Sequence, residues 1–192
     1  MPSFSLRNWQ MNAGRALNEL EAARRTIRGT TRGRRIAMQQ MNQVYVVLLL
    51  SQFQRFCREL HEECVEHLLR QPGLQPYGEI LNLRFIEARK LDSGNPNPGN
   101  LGSDFGRLGV KLWPELRQLG SRSKYHHDAL ETLNHWRNAI AHQDFRRPEL
   151  RGRRTIRLTQ TRRWRDVCNR LAIDMDRVMY AYLLRITGSP PW

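Results

Sequence analysis

Tyr125-His126-His127-Asp128-Ala129-Leu130-Glu131-Thr132-Leu133-Asn134-His135-Trp136-Arg137-Asn138-Ala139-Ile140-Ala141-His142-Gln143-Asp144-Phe145 is the most informative stretch of the chain. At about 100° per residue, Ala129, Leu133, Trp136 and Ile140 fall within about 60° of one another, the apolar stripe of an amphipathic helix. The spacing predicts a helix over about 124–145. Its other side carries Glu131, His135, Asn138 and His142, with Arg137 on the flank between the two faces. Asn138 and His142 are four apart and therefore neighbours on the helix surface.

The residue types on that polar side suit phosphodiester chemistry. An unperturbed imidazole titrates near pH ~6.5, so His142 can take or give a proton at neutral pH. The Arg137 guanidinium stays charged and matches phosphate oxygens with a planar fork. It can stabilise charge developing on phosphorus. Asn138 can orient a phosphate or the imidazole. By composition and spacing alone, an ordinary solvated helix face accounts for the same residues.

Working outward, helical spacing continues through most of the chain. Leu17, Leu20, Ala23 or Arg24, and Ile27 predict a helix over 8–28, followed by a break at Gly29 to Gly33. The longest helix is expected over 35–70, stopped by Pro72-Gly73, and a shorter one over 77–91. Asp92 to Asn100 is rich in Asn, Pro and Gly and reads as a loop, either functional or a plain connection. A further helix is expected from Ser103 or Asp104, carrying Phe105, Leu108, Leu112 and Leu116, with Pro114 a possible kink. Thr155 to Thr159 suits a short extended piece, and the last helix is expected over 163–186, before Gly188-Ser189-Pro190-Pro191. No run of alternating strands and no internal repeat is evident. The fold class is therefore all-α, an up-and-down bundle of about five to six helices. Its 192 residues suit a single domain, 1–192, with a basic connecting segment at 146–165.

The formal net charge is +14, and the cations are almost all arginine, the lysines being Lys90, Lys111 and Lys124. A GC-rich coding sequence explains arginine over lysine but not the excess of cations over acids. The balance favours an anionic partner such as nucleic acid, an acidic protein or a membrane surface. Nine arginines and one acid, Glu149, fall between Arg146 and Arg165. Arg146, Arg147, Arg151, Arg153 and Arg154 are the candidate contacts to such a polyanion. The first residues show no basic-then-apolar leader, and the most apolar run, Val44 to Leu50, is far shorter than the ~20 residues a bilayer requires. Cys57, Cys64 and Cys168 are odd in number and form no CxxC pair, which fits a reducing compartment, the cytoplasm, better than a disulfide framework. Cys57, His61, Cys64 and His67 lie near one helix face. However, Phe53, Cys57, Leu60, Cys64 and Leu68 form a continuous apolar stripe, so the cysteines read as core rather than metal ligands. No metal site, no cofactor and no membrane association is expected.

Arg137-Asn138-Ala139-Ile140-Ala141-His142 resembles the signature of HEPN domains: arginine, a polar residue, three more, then histidine. Val44-Tyr45-Val46-Val47-Leu48-Leu49-Leu50, Leu101 to Gly109, and Gly188 to Trp192 are similar to the RiboL-PSP-HEPN-like branch. The resemblance implies a helical bundle and a metal-independent endoribonuclease that cuts single-stranded RNA, leaving a 2′,3′-cyclic phosphate and a 5′-hydroxyl. It implies a homodimer with two motifs facing one cleft, and Arg137, Asn138 and His142 as its catalytic residues. Such proteins serve as toxins with an antitoxin or other partner encoded nearby, as phage-defence effectors, or in RNA processing. The alternative within the same resemblance is a non-catalytic module that binds RNA, nucleotide or a protein. Where toxin branches paired with a nucleotidyltransferase antitoxin carry a tyrosine shortly after the histidine, this chain has Gln143, Asp144 and Phe145.

Overall fold

The computed structural model describes residues 1–27, 32–120 and 122–192, and these are helical and turn structure without a strand. A continuous rod is made of α1 (Phe4–Asn8), a π-helical stretch (Trp9–Ala13) and α2 (Gly14–Thr26). It is followed by α3 (Arg32–Leu69), α4 (Gly78–Ile86), α5 (Lys90–Ser93), α6 (Pro98–Arg107), α7 (Leu112–Gln118), α8 (Ser123–Ala141) and α9 (Leu158–Thr187). The helix count exceeds the expected five to six because the middle of the chain is broken into short pieces. Most of the expected break between α2 and α3 lies outside the described residues. No helix among the described residues is long and apolar enough to cross a membrane.

The first helix begins at Phe4, four residues before its expected start, because polar groups hold its end. Ser3 Oγ accepts from Leu6 N–H at 3.0 Å, and Ser3 N–H donates to Asp176 of α9 at 3.0 Å. Glu63 of α3 accepts from the Phe4 and Ser5 amides at 3.0 and 2.6 Å, a carboxylate placed at a helix N-terminus where the dipole favours it. The rod buries Trp9, Ala13 and Leu17, with Leu20 half-buried beside them.

The central column is α3. It contacts α1, α2, α8 and α9 on different sides, as well as the short helices α4, α5 and α6. Burial on several sides explains why its apolar residues do not keep to one stripe. Tyr45, Val46, Leu49, Leu50, Phe53, Phe56 and Leu60 are all buried, and Cys57 and Cys64 pack among them as small apolar groups. Burial pushes both thiols well above their ordinary range. His61 and His67, on the same helix, are each engaged elsewhere: His61 Nε2 with the Asp104 carbonyl at 3.1 Å, His67 Nε2 with Thr187 Oγ1 at 3.1 Å.

The region expected as a loop from Asp92 to Asn100 is irregular at Gly94 to Asn97, while its two ends belong to α5 and α6. Asn97 is the N-cap of α6, its Oδ1 accepting from Asn100 N–H at 2.8 Å, and Pro98 takes the first helical position. Neither Ser103 nor Asp104 starts this helix. Asp104 is instead fully buried, and its carboxylate accepts from the Lys90 and Leu91 amides at 3.0 and 2.8 Å, capping α5. The expected continuous helix from Phe105 to Leu116 is broken at Gly109, where φ is +88°. Pro114 sits in the first turn of α7, where its missing N–H costs no intrahelical bond.

The last helix starts at Leu158, five residues earlier than expected, so the basic segment 146–165 is partly helical. No strand forms over Thr155 to Thr159. The connection is anchored rather than free: Leu150 and Ile156 are buried. Ile156 N–H donates to Gln39 Oε1 at 3.2 Å, while its carbonyl accepts from Asn42 Nδ2 at 2.7 Å, both partners lying on α3.

Candidate functional site

On α8, Leu133, Trp136 and Ile140 are buried as the wheel predicts, and so are Leu130, Asn134 and Ala139. Ala129 is only half-buried. The core face is wider than one stripe because α8 packs against both α3 and α9 and also meets α6 and α7.

The helix ends at Ala141 rather than near Phe145. Gln143 N–H donates to the Ile140 carbonyl at 3.2 Å and Asp144 N–H to the Ala139 carbonyl at 2.9 Å. This pair of bonds closes a Schellman-type cap with Gln143 at φ +52°. His142 is therefore the capping residue, φ −96° and ψ 0°, and its side chain is exposed. The backbone of the two motif positions is joined by His142 N–H to the Asn138 carbonyl at 3.0 Å. No hydrogen bond among the described residues holds the His142 imidazole.

Arg137 and Asn138 come together. Both are half-buried, and Arg137 Nη1 donates to Asn138 Oδ1 at 3.3 Å. Among the described residues no carboxylate pairs with Arg137. A residue missed by the sequence reading completes the arrangement: Asn95 Nδ2 donates to the same Asn138 Oδ1 at 2.6 Å. With its oxygen accepting from two donors, Asn138 keeps its own amide N–H groups to offer outward. A half-buried guanidinium, an amide whose donors have no acceptor among the described residues and an imidazole one turn on are groups chemically able to receive a phosphodiester.

Asn95 belongs to the turn from Gly94 to Asn97, which is fixed on several sides. Gln54 Nε2 of α3 donates to the Leu91 and Gly94 carbonyls at 2.5 and 2.8 Å. Asn100 Nδ2 donates to the Asn95 carbonyl at 2.7 Å, and Asn134 Nδ2 of α8 to the Pro96 carbonyl at 3.3 Å. The Asn, Pro and Gly content marked this loop in the sequence, but its docking on α8 had no local signal.

The five candidate RNA-contact arginines are not gathered in one place. Arg147 faces Asp144, Nε to Oδ2 at 3.5 Å. Arg146 and Arg151 are exposed, the latter with φ +49°. Arg153 and Arg154 line a surface cavity of about 930 Å³ together with Arg157 and Arg163. The α8 residues of that cavity are Tyr125, Asp128, Ala129, Thr132 and Trp136, and the centre of that face lies roughly 100–135° around the helix from His142 and Asn138. Among the described residues no three His, Cys, Asp or Glu side chains gather as a metal site.

Compared with protein-family models, with curated proteins and with solved structures, the chain finds no significant match.

Proposed function

We propose that this chain is a HEPN-type, metal-independent endoribonuclease that cuts single-stranded RNA by attack of the 2′-hydroxyl. The observation that carries the reading is the half-buried Arg137, without a carboxylate partner among the described residues, beside an Asn138 whose oxygen is occupied by Asn95 and one turn from the exposed His142.

In this mechanism a neutral His142 imidazole takes the 2′-hydroxyl proton, and the 2′-oxygen bonds to phosphorus as the bond to the 5′-oxygen breaks. Arg137 and the Asn138 amide hold the phosphate oxygens and stabilise their growing charge. The leaving 5′-oxygen takes a proton from a second imidazole, which a two-fold dimer supplies as His142 of the partner subunit. The products are a 2′,3′-cyclic phosphate and a 5′-hydroxyl.

The test is a cleavage assay on single-stranded RNA in EDTA. His142→Ala should lower the rate by about 10²–10⁴. Arg137→Lys should also be impaired, because ammonium keeps the charge but loses the fork. Asn138→Ala should cost less, since it positions rather than transfers protons. Activity abolished by EDTA, or equal on DNA, contradicts the mechanism. A second reading, a non-catalytic module that binds RNA, is favoured by one observation: nothing within the described residues orients the imidazole. Inactivity across diverse RNAs with binding retained selects that reading.

A further inference from the structure

Two surface cavities lie along the α8–α9 seam, away from Arg137, Asn138 and His142. The first, of about 890 Å³, opens between α7, α8 and α9 and has Ser123, His126 and Asp174 among its walls. The second, of about 930 Å³, has Arg153, Arg154, Arg157 and Trp164 among its walls. Tyr125 and Arg163 line both, so the two meet there. From Ser123 to Trp136 along α8 the seam measures about 20 Å, the length of a short run of nucleotides.

The chemistry of the two ends differs. At the second cavity Arg153, Arg154, Arg157 and Arg163 are exposed, and among the described residues none pairs with a carboxylate. Such a row suits phosphates. At the first cavity the buried groups ask for a donor. Asp174 is 9% exposed, Arg170 Nε lies 3.3 Å from its Oδ2, and its Oδ1 has no partner among the described residues. Ser123 Oγ, on a residue 8% exposed, is likewise without a partner among them. Burial lowers the His126 pKa, which favours the neutral ring. A phosphate brings only acceptors and leaves Asp174 Oδ1 unsatisfied. A base with an exocyclic amino group brings the missing donor. Between the two ends stands the exposed Tyr125 ring, 55% accessible, a surface on which a base can stack.

We propose that the α8–α9 groove is a binding site for a single-stranded RNA segment, with phosphates along Arg153, Arg154, Arg157 and Arg163, a base on Tyr125, and an amino-bearing base in the pocket at Asp174. It is a second site, on a different face of α8 from the cleavage motif. The choice of RNA as probe rests on the ribonuclease reading, while the test reads binding alone.

The test uses the full-length protein and fluorescein-labelled 2′-O-methyl oligoribonucleotides, which the proposed cleavage cannot consume, with fluorescence anisotropy across a salt series. Arg153→Ala with Arg163→Ala should weaken binding at least tenfold and lower the salt slope by about 1.4, two phosphates at ~0.7 each. Arg15→Ala with Arg25→Ala, both exposed on α2, removes the same charge outside the groove and should change affinity less than threefold. Tyr125→Ala, an exposed substitution, should weaken binding about tenfold. Oligocytidine should bind more tightly than oligouridine, which lacks the amino group, and Asp174→Asn should reduce that difference. Equal losses from the two arginine pairs, or no loss from Tyr125→Ala, overturn the proposal. So does cytidine monophosphate binding as tightly as the oligomer with the same dependence on Arg163, because the site is then one for free nucleotides. Inactivity of the motif in cleavage assays leaves these binding results intact, and normal binding by the groove variants leaves the cleavage reading to be judged on His142.

Discussion

His61 shows how a single buried residue sets the response of this protein to acid. It is fully buried, its Nε2–H donates to the Asp104 carbonyl at 3.1 Å, and Arg89 Nη1 lies 3.5 Å from its Nδ1. Burial first, and the Arg89 cation second, lower its pKa to about 4. Above the unfolded value of ~6.5 the ring is neutral in both states and no stability depends on pH. Below it the unfolded chain gains a proton that the folded chain refuses, so stability falls as pH drops from about 6.5 towards 4. The loss from this group reaches about 3 kcal/mol at its full extent. Urea unfolding at pH 7 and pH 5 should show the midpoint falling with acid, and His61→Gln should flatten that fall; an unchanged slope in the variant contradicts the assignment. At this scale the sequence singled out Arg137, Asn138 and His142 by type and spacing, and the first two meet in the structure. It did not reveal Asn95, because a bond across 43 positions is made by packing and leaves no local pattern.

The helices were more legible than their ends. Apolar spacing marked α2, α3 and α8, but the boundaries depend on partners distant in sequence or on local backbone: Asp176 and Glu63 for the start of α1, and the left-handed Gln143, a residue type with no strong preference for that conformation, for the end of α8. The turn between α6 and α7 offers a test of such a long-range partner. Gly109 has φ +88°, and a Cβ there would stand 2.6 Å from Tyr182 Oη of α9. That hydroxyl donates to the Leu108 carbonyl at 2.7 Å, pinning the turn to the last helix. Gly109→Ala should therefore cost more than about 2 kcal/mol through backbone strain and the clash. Tyr182→Phe alone should cost about 1 kcal/mol. The double variant should cost less than the sum, because removing Oη opens the space the methyl group needs. Thermal or urea unfolding of the three variants checks this, and strict additivity contradicts the contact.

For the molecule as a whole, an all-helical bundle was legible from periodicity, while the two-sided burial of α8 was not. A wheel shows one preferred direction and cannot say that a helix is clasped between two neighbours. The same limit explains why the basic segment read as one RNA-binding unit, when Leu150 and Ile156 anchor it to the core and only Arg153 and Arg154 of the five candidates turn into the groove. The proposed reaction uses both a base and an acid, and a single chain offers one His142, which no hydrogen bond among the described residues holds. The protein should therefore be a homodimer in light-scattering chromatography, and a strict monomer that still cleaves RNA would contradict the shared site. The central claim, that Arg137, Asn138 and His142 direct a 2′-hydroxyl onto the neighbouring phosphate, is tested most directly by the ends of the products. Purified protein in EDTA should cut a defined single-stranded RNA into fragments bearing 2′,3′-cyclic phosphate and 5′-hydroxyl, and a 2′-deoxy residue at the cut position should abolish that cut. Fragments ending in 3′-hydroxyl and 5′-phosphate, or cleavage that survives the 2′-deoxy substitution, would contradict it.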